Sequence, residues 1–146
     1  MGSGIRSIVL ALLAVGLLTP PALAQSLNVE GYPVYPAAVG GTYSSALTAS
    51  SAQLSDGSRT EFWRFAGRRG ACIHLEMSTD SDSLRPLVVL RRGRPSGREL
   101  GEPVLQDQVA SLDMSPLPAD DYYFVQATSA GSSQQLGAYR LIIRSC

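Results

Sequence analysis

The chain has 146 residues, with 12 Lys+Arg, 12 Asp+Glu, one histidine and two cysteines. A near-neutral balance lacks the basic excess that phosphate backbones demand, so nucleic acid is excluded as the natural partner. All the positive charge is arginine.

The first residues, "MGSGIRSIVLALLAVGLLTPPALAQS", open with Arg6 and run into an apolar stretch from Ile8 to Leu18. Two prolines and "ALA" at Ala22 to Ala24 follow. This is the layout of a cleaved export signal over residues 1–24, with cleavage expected between Ala24 and Gln25. The run is too short for a membrane span, which needs about 20 apolar residues. The mature chain would carry 11 arginines against 12 carboxylates, a net charge near −1. It has one domain's length.

Residues 25–39, "QSLNVEGYPVYPAAV", contain two prolines and no sustained period. They read as an extended lead to a domain spanning 40–146. From Gly40 onward the apolar pattern has period two, the mark of strands. Strands are expected at Gly40–Thr48, Thr60–Gly67, Ala71–Thr79, Pro86–Arg92, Val109–Ser115, Tyr122–Ser129 and Ala138–Ser145. The segments between them carry Gly, Pro, Asp and Ser, including the tight-turn pair Asp56-Gly57. Seven or eight short strands with such turns predict an all-β antiparallel sandwich.

The two cysteines, Cys72 and Cys146, would be exported to an oxidising compartment, where a lone pair becomes a disulfide. Cys72 begins one strand and shares parity with His74 and Glu76. Cys146 ends another and shares parity with Arg140 and Arg144. Antiparallel neighbours bring a start beside an end, so a Cys72–Cys146 bridge pinning the last strand is expected. Two cysteines and one distant histidine lack the ligand count for zinc.

The order of motifs, "GGTYSSALT…AQLSDGSRTEFWRFAGRRGACIHLEM…LRPLVVL…SPLPADDYYFVQATS…GAYRLII", resembles the bacterial pre-peptidase C-terminal (PPC) domain family over about Gly40 to Ile143. The resemblance implies a compact, jelly-roll-like β-sandwich. It departs from the family at Arg85, before Pro86, where the family tends to carry an acidic residue ahead of its middle-strand proline. It departs again at Asp120 or Asp121, where a turn glycine is usual; Asp tolerates left-handed backbone there. The Arg85 change weakens any carry-over of the calcium binding seen in some relatives. The family's domain usually rides behind a secreted enzyme; here it follows a signal-like segment, which implies no enzyme to assist in cis.

Four features could carry chemistry. His74, the lone histidine, has no Gly-x-Ser-x-Gly elbow to serve and reads as a solvated sheet residue. Asp80 and Asp82 in "STDSDS" are calcium candidates that read more simply as a polar turn. Arg91, Arg92, Arg94 and Arg98 in "RRGRPSGRE" could form a forked site for carboxylates, sulfates or phosphates, or a partner surface. Trp63, Phe65, Tyr122, Phe124 and Tyr139 read as core, leaving Tyr32, Tyr35 and Phe62 as exposed rings. No cofactor is implied. The expectation is an exported, non-catalytic module, periplasmic or secreted, that binds another exported protein or a polysaccharide of the envelope or medium through its loops. The alternative is an accessory subunit of an exported complex. A hydrolase would have His74 alone to build on.

Overall fold

The computed structural model describes residues 26–131 and 135–146. The export signal read at 1–24 lies outside the described residues. Among the described residues twelve strands form two sheets: β1 (Leu27–Val29), β2 (Tyr32–Pro36), β3 (Thr42–Leu47), β4 (Ala52–Gln53), β5 (Arg59–Gly67), β6 (Ile73–Ser78), β7 (Pro86–Arg92), β8 (Glu99–Leu100), β9 (Val104–Gln106), β10 (Val109–Met114), β11 (Asp121–Ser129) and β12 (Gly137–Ser145). The larger sheet runs β1-β2-β5-β11-β7-β8, with β4 also on β5; the smaller runs β3-β12-β6-β10-β9. The fold is an all-β sandwich. All seven segments expected from periodicity are strands. Among the described residues no helix is long and apolar enough to cross a membrane.

Strand alternation sorts side chains between the layers. From the smaller sheet, Ile73, Leu75, Met77, Tyr139, Leu141 and Ile143 face inward. From the larger, Trp63, Phe65, Val88, Leu90, Tyr123, Val125 and Ala127 meet them. Each fully buried aliphatic or aromatic side chain contributes about 1.5–3 kcal/mol relative to exposure.

Within the stretch read as an extended lead, residues 27–29 and 32–36 are strands of the larger sheet. β1 and β2 form a hairpin, and β2 lies parallel to β5, pairing Val34 with Phe62. A parallel pair is possible because the chain visits the other sheet, as β3, before returning as β5. The hairpin turns at Glu30 and Gly31, whose φ values of 55° and 84° are both positive. That is the pattern of a two-residue type I′ turn. Glutamate is held in this conformation by its carboxylate, which accepts from the Ser96 amide at 2.8 Å and the Ser96 hydroxyl at 2.6 Å. These two bonds hold the Glu30 carboxyl below the usual carboxylate range.

The aromatic assignments are corrected in part. Phe62, read as exposed, is buried on the outer face of the larger sheet with Val34 and Phe124, and Val29 and Tyr32 pack on them. Tyr122, read as core, is 48% exposed, with the Arg64 guanidinium 4.1 Å from its ring centre. The core residue is its neighbour Tyr123. Nor do Asp120 and Asp121 adopt left-handed backbone. Asp120 instead accepts from the Arg69 amide at 2.8 Å, and Asp121 accepts from Arg92 Nε at 3.2 Å.

A polar network crosses the core. Trp63 Nε1 donates to Tyr139 Oη at 2.9 Å, and that hydroxyl donates to Glu61 Oε1 at 2.6 Å. Ser45 Oγ donates to the same carboxylate oxygen at 2.6 Å. Burial first, and the Glu61 charge second, push the Tyr139 phenol well above its ordinary range. A folded-state value raised above the unfolded one gives stability that is complete below the ordinary tyrosine pKa of about 10 and is lost as pH rises beyond it. Ultraviolet titration is therefore expected to show a tyrosine fraction that ionises only on alkaline unfolding. Tyr139→Phe should reduce that resistant fraction while lowering stability at neutral pH by about 1–3 kcal/mol, since Trp63 and Glu61 lose their partner. Full ionisation of every tyrosine in the folded protein would contradict this placement.

Candidate functional site

The Cys72–Cys146 disulfide is present, with Cα atoms 5.3 Å apart. It arises from the pairing of β6 with β12, whose register sets Arg144 opposite His74 and Ser145 opposite Ile73. One more step brings the cysteines together, and the Cys146 amide donates to the Cys72 carbonyl at 3.2 Å.

The four arginines of the β7–β8 hairpin do not converge. Arg91 and Arg92 are adjacent in a strand, so their side chains leave on opposite faces. Arg92 turns to the end of the sandwich and meets Asp121. Arg91 lies half-buried on the outer face of the larger sheet. Its Nε donates to Gln126 Oε1 at 2.9 Å, and its Nη1 donates to the Gly97 carbonyl at 3.1 Å. Arg94 and Arg98 are exposed in and after the turn. That turn is tight: a Cβ on Gly97 would stand 2.0 Å from the Arg92 carbonyl oxygen, so only glycine fits there.

Arg91 and Gln126 lie in an open groove of about 410 Å³. Phe62 lies beside them, brought there by the register that sets Phe62 opposite Gln126 and Phe124 opposite Arg91. Three loops supply the rest of the lining: Tyr32 from the β1–β2 hairpin, Leu54 to Asp56 from the β4–β5 turn, and Pro95 and Ser96 from the arginine turn. The Glu30–Ser96 bonds tie the first of these loops to the third. Asp56 is itself fixed, its Oδ1 accepting from the amide and hydroxyl of Ser58. Of this groove Tyr32, Phe62 and Arg91 stand out in the sequence; Asp56 reads there only as a turn residue, and Gln126 and Ser96 do not stand out. The one available signal was Gln126, a polar side chain inside the otherwise apolar run "YYFVQA".

The other candidates lie elsewhere. His74 is on the outer face of the smaller sheet, but less solvated than expected: its side chain is 17% exposed and its Nδ1 lies 2.6 Å from Asp113 Oδ1. Its Nε2 is buried without a hydrogen-bond partner, 3.5 Å from Glu76 Oε2. Asp113 sits opposite His74 across β10–β6, and Arg144 opposite it across β12. Ser145 borders the same hollow as His74 and Asp113. Asp80 and Asp82 are both exposed. Asp82 accepts from Gln108 Nε2 at 3.3 Å, and Asp80 borders a hydroxyl-rich hollow with Ser44, Ser78 and Arg140. Among the described residues no three His, Cys, Asp or Glu side chains gather as a metal site.

No family model and no curated protein matches the sequence. Solved structures do. The pre-peptidase C-terminal domain of a collagenase from Bacillus anthracis superposes with a TM-score of 0.54 at 12% identity, covering 80% of this chain and 100% of that one. The likeness is one of fold. CorA, a surface-associated copper-binding protein of Methylomicrobium album BG8, gives 0.51 at 8% identity, over 77% of this chain and 98% of its own. PliG, a periplasmic inhibitor of g-type lysozyme from Aeromonas hydrophila, gives 0.51 at 12%, over 77% and 97%. The sandwich resembling the pre-peptidase C-terminal domain is thus shared with chains of different stated roles. Fold alone does not carry a function across.

Proposed function

We propose that the protein is an exported, non-catalytic binding module, periplasmic or secreted, whose site is the groove on the outer face of the larger sheet. The observation that carries this reading is the Arg91–Gln126 pair, bordered by three loops of which two are tied together by Glu30 and Ser96. Loops on a rigid sandwich are where such folds place recognition. The disulfide and the signal-like first 24 residues support export. The three structural neighbours, a domain appended to a collagenase, a copper-binding surface protein and a lysozyme inhibitor, are in keeping with a module that binds rather than turns over.

A second reading, an accessory subunit of an exported complex, draws on β9. Val104 and Leu105 point to opposite faces of this edge strand and are 55% and 47% exposed. An apolar edge strand left uncovered on both faces invites strand addition by a protein partner.

The test is capture by the oxidised protein of solubilised envelope proteins and of insoluble envelope and extracellular polysaccharides, in parallel. Ser55→Trp, at the groove's rim, should abolish capture; Val104→Ser/Leu105→Ser should not. The opposite pattern would move the function to β9.

A further inference from the structure

The groove's polar groups are unevenly satisfied. Arginine carries five N–H donors; the bonds to Gln126 and Gly97 use two, leaving three. Both partners are neutral. Among the described residues Arg91 forms no salt bridge, unlike Arg92 beside it. A half-buried guanidinium without a counter-ion retains a charge that an incoming anion would compensate. The Gln126 side chain accepts from Arg91 through its oxygen, and its amide nitrogen donates to no group among the described residues. Both side chains, with N–H donors unused by the protein, line the same groove.

We propose that the ligand carries a carboxylate on a sugar ring: the groove binds an acidic polysaccharide of the uronate type, with the carboxylate on Arg91 and Gln126. This rests on the groove being the binding site. Carboxylate suits the planar donor fork of arginine. The choice of a sugar over an acidic peptide comes from the rest of the lining. The Asp56 carboxylate, with Ser55 next to it, can accept from sugar hydroxyls, which the side chains of an acidic peptide lack. Tyr32, half-buried against Phe62 with ring centres 4.9 Å apart, offers a fixed aromatic surface for the apolar face of a pyranose. A groove of about 410 Å³ is in the range of small-ligand sites.

Calorimetry of the oxidised protein with oligogalacturonate, the matching neutral oligogalactose and oligoglutamate tests the proposal. Oligogalacturonate should bind, weakening with added salt, and the other two should bind at least about tenfold more weakly. Arg91→Met should cost about tenfold or more, with its thermal midpoint showing that the fold persists. As a check free of any variant, the Arg91 Nε–H and Gln126 side-chain amide signals of the wild type should shift with uronate. Equal binding of the neutral sugar, or uronate binding that leaves those signals and Arg91→Met unaffected, overturns the proposal. Preference for oligoglutamate makes the ligand an acidic protein. Capture from the envelope that Ser55→Trp abolishes, without uronate binding, overturns the sugar while leaving the groove as the site. Failure of both removes the groove.

Discussion

Replacing both cysteines, as Cys72→Ser/Cys146→Ser, is expected to lower the unfolding free energy by about 4 kcal/mol. The bridge closes a loop with a sequence separation of 74 residues. Loop-closure entropy of the unfolded chain gives a value of about that size at this length. Typical domains hold only about 5–15 kcal/mol in total, so the loss would be a large share. The bridge also joins the residue before β6 to the residue after β12, at the frayable end of this strand pair. Two readouts separate the contributions. The denaturant midpoint reports the global loss. Hydrogen exchange should show the Arg144–Cys146 amides opening by local fraying while Leu141 and Ile143, buried at the centre of the smaller sheet, stay protected until global unfolding. A midpoint that is unchanged in the double variant would mean that the unfolded chain is already restricted, and would remove the bridge from the account of stability.

Trp63→Ala is expected to cost about 3–5 kcal/mol, the range for emptying a buried large aromatic site. Trp63 is 2% exposed and pairs with Val125 across β5–β11. Its ring lies 5.1 Å from Tyr35 and 4.9 Å from Tyr43, centre to centre. Its N–H reaches across to Tyr139 of the opposite sheet. One residue thus joins both sheets and the strand that follows the N-terminal hairpin. Removing it leaves a cavity and frees a buried hydroxyl at once. Trp63→Phe keeps most of the volume but loses the N–H, so a smaller loss of about 1–2 kcal/mol is expected. Circular dichroism through a denaturant series measures both, since the wild type's sole tryptophan is itself the mutated reporter. A loss under about 1 kcal/mol for Trp63→Ala would show that the sheets hold together without this contact.

Period-two alternation was legible wherever a strand has one wet face. "ACIHLEM" and "AYRLIIRS" alternate cleanly, and their inward residues follow from parity alone. The same parity, with the ends of the two strands, brings Cys72 to Cys146. The run "YYFVQATS" does not alternate, because the residues from Tyr123 to Ser129 are all buried. There parity carries no information about which of the adjacent tyrosines points inward, and Tyr123, not Tyr122, is the core residue. Phe62 was read outward correctly but as exposed, because what covers it comes from Val29, Tyr32 and Val34, about thirty residues upstream.

The sequence by itself therefore determined the class of fold, the strands with one exposed face, the disulfide and the features that point to export. These depend on local period and on a single pair of thiols. The tertiary structure alone decided that the N-terminal hairpin joins the larger sheet, that Glu30 is tied to Ser96, that His74 meets Asp113, and that Arg91 parts from Arg92, Arg94 and Arg98 to lie with Gln126 and Asp56. Each is a pairing over long sequence separation, set by strand register and by which loops the closed sandwich brings to one face. A linear pattern holds the parity of each strand but not the identity of its neighbours, and the groove is made of neighbours.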